Sequence, residues 1–148
     1  MKQSISFLFI AILSCKTPKE SKLLKYAIYD STGHKSNIEM YIPKDYKSKA
    51  YIENWEGLPE KRFWYADSGV LYICDDKGGS WLNYNNIVSQ QGALSKKIIY
   101  DTLTLQGIDK DGKYWKEIKL DRISLGYSRI PKERKDEFDK AVDNWKVK

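Results

Sequence analysis

The chain has 148 residues, of which 41% are hydrophobic and 31% charged, with a formal net charge of +6. This length allows one domain, and the share of apolar residues excludes global disorder. Its 26 cations are interleaved with 20 anions and form no long block, which indicates a solvated surface and disfavours a nucleic-acid partner. The 5 Trp, 11 Tyr and 4 Phe favour pleated sheet.

The first residues have the order of a secretory signal. Lys2 supplies a positive start, residues 5–13 (ISFLFIAIL) form a short apolar segment, and the small residue Ser14 precedes Cys15. That order is typical of a cleaved signal peptide. No apolar run reaches the roughly 18 residues that a bilayer-spanning helix needs. We therefore expect residues 1–14 to be a signal peptide, cleaved between Ser14 and Cys15.

The segment Ile12-Leu13-Ser14-Cys15 resembles the lipobox of bacterial lipoprotein precursors. It differs from the commonest lipobox because leucine lies next to Ser14 and Ile12 takes the usual leucine position. The resemblance implies transfer of diacylglycerol to the Cys15 thiol, cleavage after Ser14, and acylation (for instance with palmitate) of the new amino terminus. It also implies a cell-envelope location on a periplasmic or surface face, and Lys16 favours the outer membrane. The alternatives are a buried N-terminal strand or an uncleaved anchor.

Residues 15–22 are expected to form a lipidated tether, since they are polar and include a proline. The tether and the segment that follows it contain a series of lysines, namely Lys16, Lys19, Lys22 and Lys25. These lysines either attract anionic headgroups or only keep the linker polar, and both interpretations stay open. Residues 23–148 are then expected to form a single globular domain.

The first part of this domain contains two strand candidates, 23–29 (LLKYAIY) and 38–42 (IEMYI), the second of which ends at Pro43. Alternation of apolar and polar residues is typical of half-buried strands. The next apolar segment, 50–55 (AYIENW), fits either a strand or a short helix. A break follows at Gly57-Leu58-Pro59.

Two hairpins are predicted further along the chain. Residues 62–79 place two aromatic or β-branched runs around Asp67-Ser68-Gly69, where glycine would supply a positive φ. The second run, Val70 to Cys74, is apolar on both parities, which predicts a central strand. The second hairpin pairs 97–108 with 113–120 around Lys110-Asp111-Gly112. Residues 122–127 (RISLGY) are predicted to be the last strand.

The C-terminal segment predicts a helix that begins at or after Pro131. Its apolar residues recur at helical spacing on one face: Phe138, Ala141, Val142 and Trp145. Such a stripe indicates an amphipathic helix docked on the sheet, and a helix lying on a membrane is the alternative. The sequence therefore predicts an α+β fold: a mainly antiparallel β-sheet built from hairpins, with this helix packed on it.

No constellation in the sequence predicts catalysis, a metal or a cofactor. His34 is the only histidine and lies in a Gly/Ser-rich turn. In the segment that begins at Asp109 (DKDG), Ile118 takes the place where a calcium loop needs a bidentate glutamate. Cys74 lies in an apolar run and is expected to be a small buried hydrophobe.

Aromatic residues provide the one binding hypothesis. We expect a possible binding surface formed by Trp55, Trp81 and Tyr84, because aromatic rings concentrate contact energy at interfaces; core packing is the alternative. The expected function is that of a non-catalytic, membrane-anchored envelope lipoprotein that binds another protein or a glycan, with an immunity or inhibitor-type protein as one variant. The alternative function is a small envelope hydrolase that uses carboxylates.

Overall fold

The fold consists of two antiparallel sheets and one helix, which confirms the predicted α+β class. In this computed structural model the residues described are 20–29, 33, 35–53, 59–75, 95–99, 102–120 and 123–148, with the backbone alone at 95–99.

The small sheet has three strands in the order β1-β2-β10. Their bounds are β1 Ser21–Tyr29, β2 Lys35–Pro43 and β10 Lys146–Val147. β1 and β2 pair along their whole length, as the two apolar segments indicated. β1 begins at Ser21, within the segment expected to be tether. β10 follows the predicted last strand and is too short to have a recognisable pattern.

The large sheet has seven strands in the order β3-β4-β5-β9-β8-β7-β6. Their bounds are β3 Ser48–Glu53, β4 Pro59–Trp64, β5 Val70–Asp75, β6 Ser95–Ile99, β7 Thr102–Ile108, β8 Tyr114–Leu120 and β9 Ile123–Ile130. The ambiguous segment after residue 50 therefore lies in a strand, and the single run predicted at 97–108 is two paired strands. β5 is an interior strand, as predicted, because it pairs with β4 on one side and with β9 on the other. β9 lies between β5 and β8.

The turn between β4 and β5 differs from the expectation in one respect. The positive φ belongs to Ser68, at 67°, rather than to Gly69. A Cβ on Gly69 would lie 2.4 Å from Ile130 Cδ1 and 2.9 Å from Asp67 Oδ1. A side chain at position 69 would therefore displace the ends of the Ile130 and Asp67 side chains, so close approach favours glycine there. In the turn between β7 and β8, by contrast, the glycine, Gly112, has a positive φ of 73°.

The helix lies against both sheets. A 3-10 turn, Lys132–Arg134, leads into α1, Lys135–Asp143. Three of the four predicted apolar residues are buried in the core, namely Phe138, Ala141 and Val142. Trp145 lies beyond the helix end and is half-buried against the same core. The apolar face of α1 is therefore used inside the protein.

One hydrophobic core joins the two sheets. It includes Tyr26 and Met40 of the small sheet, Leu71 and Leu125 of the large sheet, and Phe138 of α1. Tyr26 also bridges the sheets through hydrogen bonds. Its hydroxyl donates to the Pro59 carbonyl at 2.5 Å and accepts from the Asp75 N–H at 3.0 Å. Desolvation of this hydroxyl raises its pKa above the ordinary value, which keeps the donor protonated.

Candidate functional sites: a buried polar face and an exposed lysine face

The face of the large sheet opposite the main core is buried but partly polar. Side chains alternate between faces along a strand, so Leu71 and Ile73 of β5 point to the main core while Tyr72 and Cys74 point the other way. Cross-strand pairing then aligns Arg62, Tyr72, Gly126 and Glu117 in one row. This row and its neighbours form the first candidate site.

The centre of this polar face is a tyrosine–carboxylate pair. The Tyr72 hydroxyl donates to Glu117 Oε2 at 2.6 Å, and both residues have 0% exposure. Gly126 lies between them in the row. A Cβ at this position would approach the Tyr72 hydroxyl to 2.8 Å and the Lys116 carbonyl oxygen to 2.2 Å. The glycine therefore provides the space that the pair occupies.

The neighbouring row contains Glu60, Cys74 and Ser124. The Glu60 side chain is 1% exposed and forms an ion pair with Arg62, whose Nη2 donates to Glu60 Oε2 at 3.0 Å. Cys74 is buried, as expected. The Ser124 hydroxyl is buried with no hydrogen-bond partner in the part of the chain that the structure describes.

These groups are inaccessible to a substrate in this arrangement. A hydroxyl and a carboxylate 2.6 Å apart are close enough for proton transfer. Neither Tyr72 nor Glu117 is exposed, however, and the Glu60 carboxylate is engaged by Arg62. The geometry is that of an internal network, in which the Tyr72–Glu117 hydrogen bond links β5 to β8 across β9 and the Glu60–Arg62 ion pair lies within β4.

A second set of charged residues attaches the end of the chain to the sheets. Arg134 contacts three carboxylates: its Nη1 lies 3.0 Å from Asp67, its Nη2 2.9 Å from Asp45 and its Nε 3.1 Å from Glu137. Burial acts to lower the pKa of Arg134, but hydrogen bonds to Glu137 and Asp67 raise it above its ordinary value. The guanidinium also stacks 4.9 Å from the Phe138 ring centroid. Arg134 therefore joins two loops to the start of α1.

A second contact between α1 and the large sheet is centred on Asp139. Tyr127 of β9 donates to Asp139 Oδ1 at 2.8 Å, and Lys116 Nζ lies 3.4 Å from the same oxygen. Lys135 forms a further ion pair with Asp139 one turn away on the helix. Lys116 also lies 2.6 Å from Asp143. This cluster is a docking contact between α1 and the large sheet.

The second candidate site is the outer face of the small sheet. Along β1 and β2, the residues of this outer face alternate with core residues such as Leu24 and Met40. We call this surface the lysine face and define it by the exposed residues Leu23, Lys25, Tyr29, Lys35, Tyr41, Lys146 and Lys148. Tyr41 is 61% exposed and pairs across the strands with Leu23.

One acid lies among these lysines. Glu39 is flanked by Lys25 Nζ at 2.7 Å and Lys148 Nζ at 3.5 Å. The hydrogen bond from Lys25 lowers the pKa of the Glu39 carboxyl below its usual value, so it stays ionised. Four lysines against one glutamate leave the face positively charged. Leu23, Lys25 and Tyr29 lie at odd-numbered positions of β1, which places them together on this face of the sheet.

The residues that the sequence analysis selected for binding and lipidation lie outside the described part of the chain. These are Ser14, Cys15, Trp55, Trp81 and Tyr84, and His34 lies outside it as well. Asp109, which begins the DKDG segment, organises its turn: Oδ1 accepts hydrogen bonds from the N–H groups of Asp111 at 2.9 Å and Lys113 at 2.8 Å.

Within the residues described, no helix has the length and apolarity needed to cross a bilayer. The same residues contain no group of three or more His, Cys, Asp or Glu side chains suited to a metal ion. The chain matches no protein-family model, and no curated protein sequence or solved structure is significantly similar to it.

Proposed function

We propose that this protein is a lipid-anchored domain of the bacterial cell envelope that binds another protein or a glycan without catalysing a reaction. A lipid on Cys15 would hold the folded domain at the membrane. An immunity or inhibitor role is one form of this activity.

The position of Cys15 in the sequence is the observation that supports the proposed lipid anchor. It follows a short apolar segment and a small residue, and it lies six positions before Ser21, where β1 begins. The folded domain thus starts directly after the proposed attachment point. Each buried CH₂ of an acyl chain contributes about 0.8 kcal/mol, so two or three chains retain a small domain at a bilayer.

The pairing of buried polar groups supports a binding role over catalysis. Glu60 is engaged by Arg62, and Glu117 accepts a hydrogen bond from Tyr72. Both carboxylates are buried, so the described acids that resemble catalytic groups serve the sheet instead.

Metabolic labelling with palmitate and membrane fractionation test the anchor. We expect the wild-type chain to incorporate label and sediment with membranes, because the thiol of Cys15 carries the lipid. Cys15→Ala should lose the label. Cys74→Ala is the matched control, since Cys74 is the other cysteine and is buried. Equal labelling of wild type and Cys15→Ala would contradict the anchor.

Affinity purification from detergent-solubilised membranes tests the binding surface. We expect Trp81→Ala to lose the protein or envelope glycan that co-purifies with wild type, because loss of an aromatic contact at the centre of an interface costs about 2 kcal/mol or more. Tyr51→Ala, which removes a 64% exposed ring on β3, is the control. An unchanged set of bound material in Trp81→Ala would remove that residue from the surface.

A further inference from the structure

We propose that the lysine face of the small sheet lies against an anionic lipid surface, so that the anchored domain has a defined orientation on its membrane. This inference rests on the proposed lipid at Cys15. It adds a second contact between protein and membrane, made by folded residues.

Charge complementarity is the first argument. Lys25, Lys35, Lys146 and Lys148 project from one face of a three-stranded sheet, and Glu39 is the acid among them. Lys25 and Lys148 remain 60% and 66% exposed despite their contact with Glu39. Lysines close to a membrane surface are attracted by anionic headgroups. This charged face therefore favours an anionic membrane as its partner.

The aromatic and apolar residues of the face are the second argument. Tyr29 and Tyr41 are 55% and 61% exposed, and Leu23 lies beside Tyr41 in the pairing register. Tyrosine rings are enriched at the boundary between headgroups and acyl chains, where an apolar ring and a polar hydroxyl are both accommodated. Lysines and tyrosines together on one sheet face match the chemistry of that boundary.

The length of chain between the lipid and the sheet is the third argument. From Cys15 to Ser21 the chain advances six residues, which at full extension spans at most about 20 Å. Ser21 opens β1, and Leu23 and Lys25 follow it on the face. A lipid on Cys15 would therefore keep this strand close to the headgroups. The charge of the face then selects which side of the domain turns toward them.

Lysine footprinting on vesicles tests this orientation. The lipidated protein, purified in detergent, is inserted into preformed phosphatidylcholine vesicles with or without phosphatidylglycerol and treated with a water-soluble lysine-acylating reagent. We expect several-fold protection of Lys25, Lys35, Lys146 and Lys148 on anionic vesicles relative to detergent. Protection should weaken as salt is raised, because salt screens charge attraction. The reference lysines Lys47, Lys110 and Lys132, exposed elsewhere, should be unchanged.

Paired charge reversals provide the matched control. Lys35→Glu with Lys146→Glu should abolish the protection of Lys25 and Lys148, whereas Lys47→Glu with Lys110→Glu, with the same change in net charge, should preserve it. Equal labelling of face and reference lysines on anionic vesicles overturns the orientation while the anchor stands. Equal loss of protection in both double variants also overturns it. A purified protein with an unmodified Cys15 that does not insert overturns the proposed anchor and this inference together.

Discussion

At the scale of single residues, the least expected feature is a carboxylate inside a sheet. Glu117 lies in a segment, YWKEIKL, whose charges predict exposed positions, yet it is fully buried and accepts a hydrogen bond from Tyr72. A charged residue in a strand is usually exposed. The hydrogen-bond partner of Glu117 lies 45 residues away in the chain, so no local pattern indicates this pair.

Tyr72→Phe tests the energetic role of the pair. We expect the free energy of unfolding to fall by about 1–3 kcal/mol, because Glu117 loses a hydrogen-bond donor in a buried environment. Urea unfolding gives the value. Combining Tyr72→Phe with Glu117→Gln should cost less than the sum of the two single changes. Strict additivity would show that the two side chains are not coupled.

Gly126→Ala tests the space that the pair occupies. The added Cβ would lie 2.2 Å from the Lys116 carbonyl oxygen, which is backbone, as well as 2.8 Å from the Tyr72 hydroxyl. We expect destabilisation of about 4 kcal/mol or more, at the extreme of single substitutions, measured by thermal or urea unfolding. Adding Tyr72→Phe should not restore stability, because the carbonyl contact remains. Full restoration would identify the hydroxyl as the obstacle instead.

At the scale of secondary-structure elements, signals within short segments predicted the hairpins and the helix, whereas the pairing of distant strands was not predicted. The β4–β5 and β7–β8 hairpins and the core-facing stripe of α1 follow from turn residues and periodicity within short segments. The insertion of β9 between β5 and β8 does not, since strand order depends on contacts between distant residues. β10 was missed because two residues cannot show a period.

The contact between α1 and the large sheet predicts an acid-sensitive element. Burial opposes ionisation of Asp139, but hydrogen bonds from Lys135 and Tyr127 and the charge of Lys116 together lower its pKa below the ordinary value of an aspartate. As pH falls, the unfolded chain takes up this proton before the folded protein does, so folding stability decreases. We expect the loss to begin near the unfolded pKa and to continue through the lower folded value.

Urea unfolding of Asp139→Asn across acidic pH measures this contribution. The variant should be less stable than wild type at neutral pH, and the difference should shrink as pH falls below about 4. Asp136→Asn, which changes an exposed carboxylate on the same helix, is the control. A difference between Asp139→Asn and wild type that stays constant with pH would show that the carboxylate's charge does not stabilise docking.

At the scale of the whole molecule, the two sheets and the helix share one core, and the polar chemistry is divided between an internal network and an outer lysine face. The aromatic composition correctly indicated a sheet-rich fold, and the apolar stripe near the C-terminus correctly indicated the docked helix. The lysine face could not be recognised in advance, because β1, β2 and β10 come together from opposite ends of the chain. The proposed binding residues Trp55, Trp81 and Tyr84 remain a prediction from sequence.

The mass of the N-terminal peptide of the protein purified from bacterial membranes tests the proposed lipid anchor. We expect a mature chain that begins at Cys15 and carries the added mass of a diacylglycerol on the thiol and an acyl group on the amino terminus. A chain that begins at Met1 and has an unmodified Cys15 would contradict it.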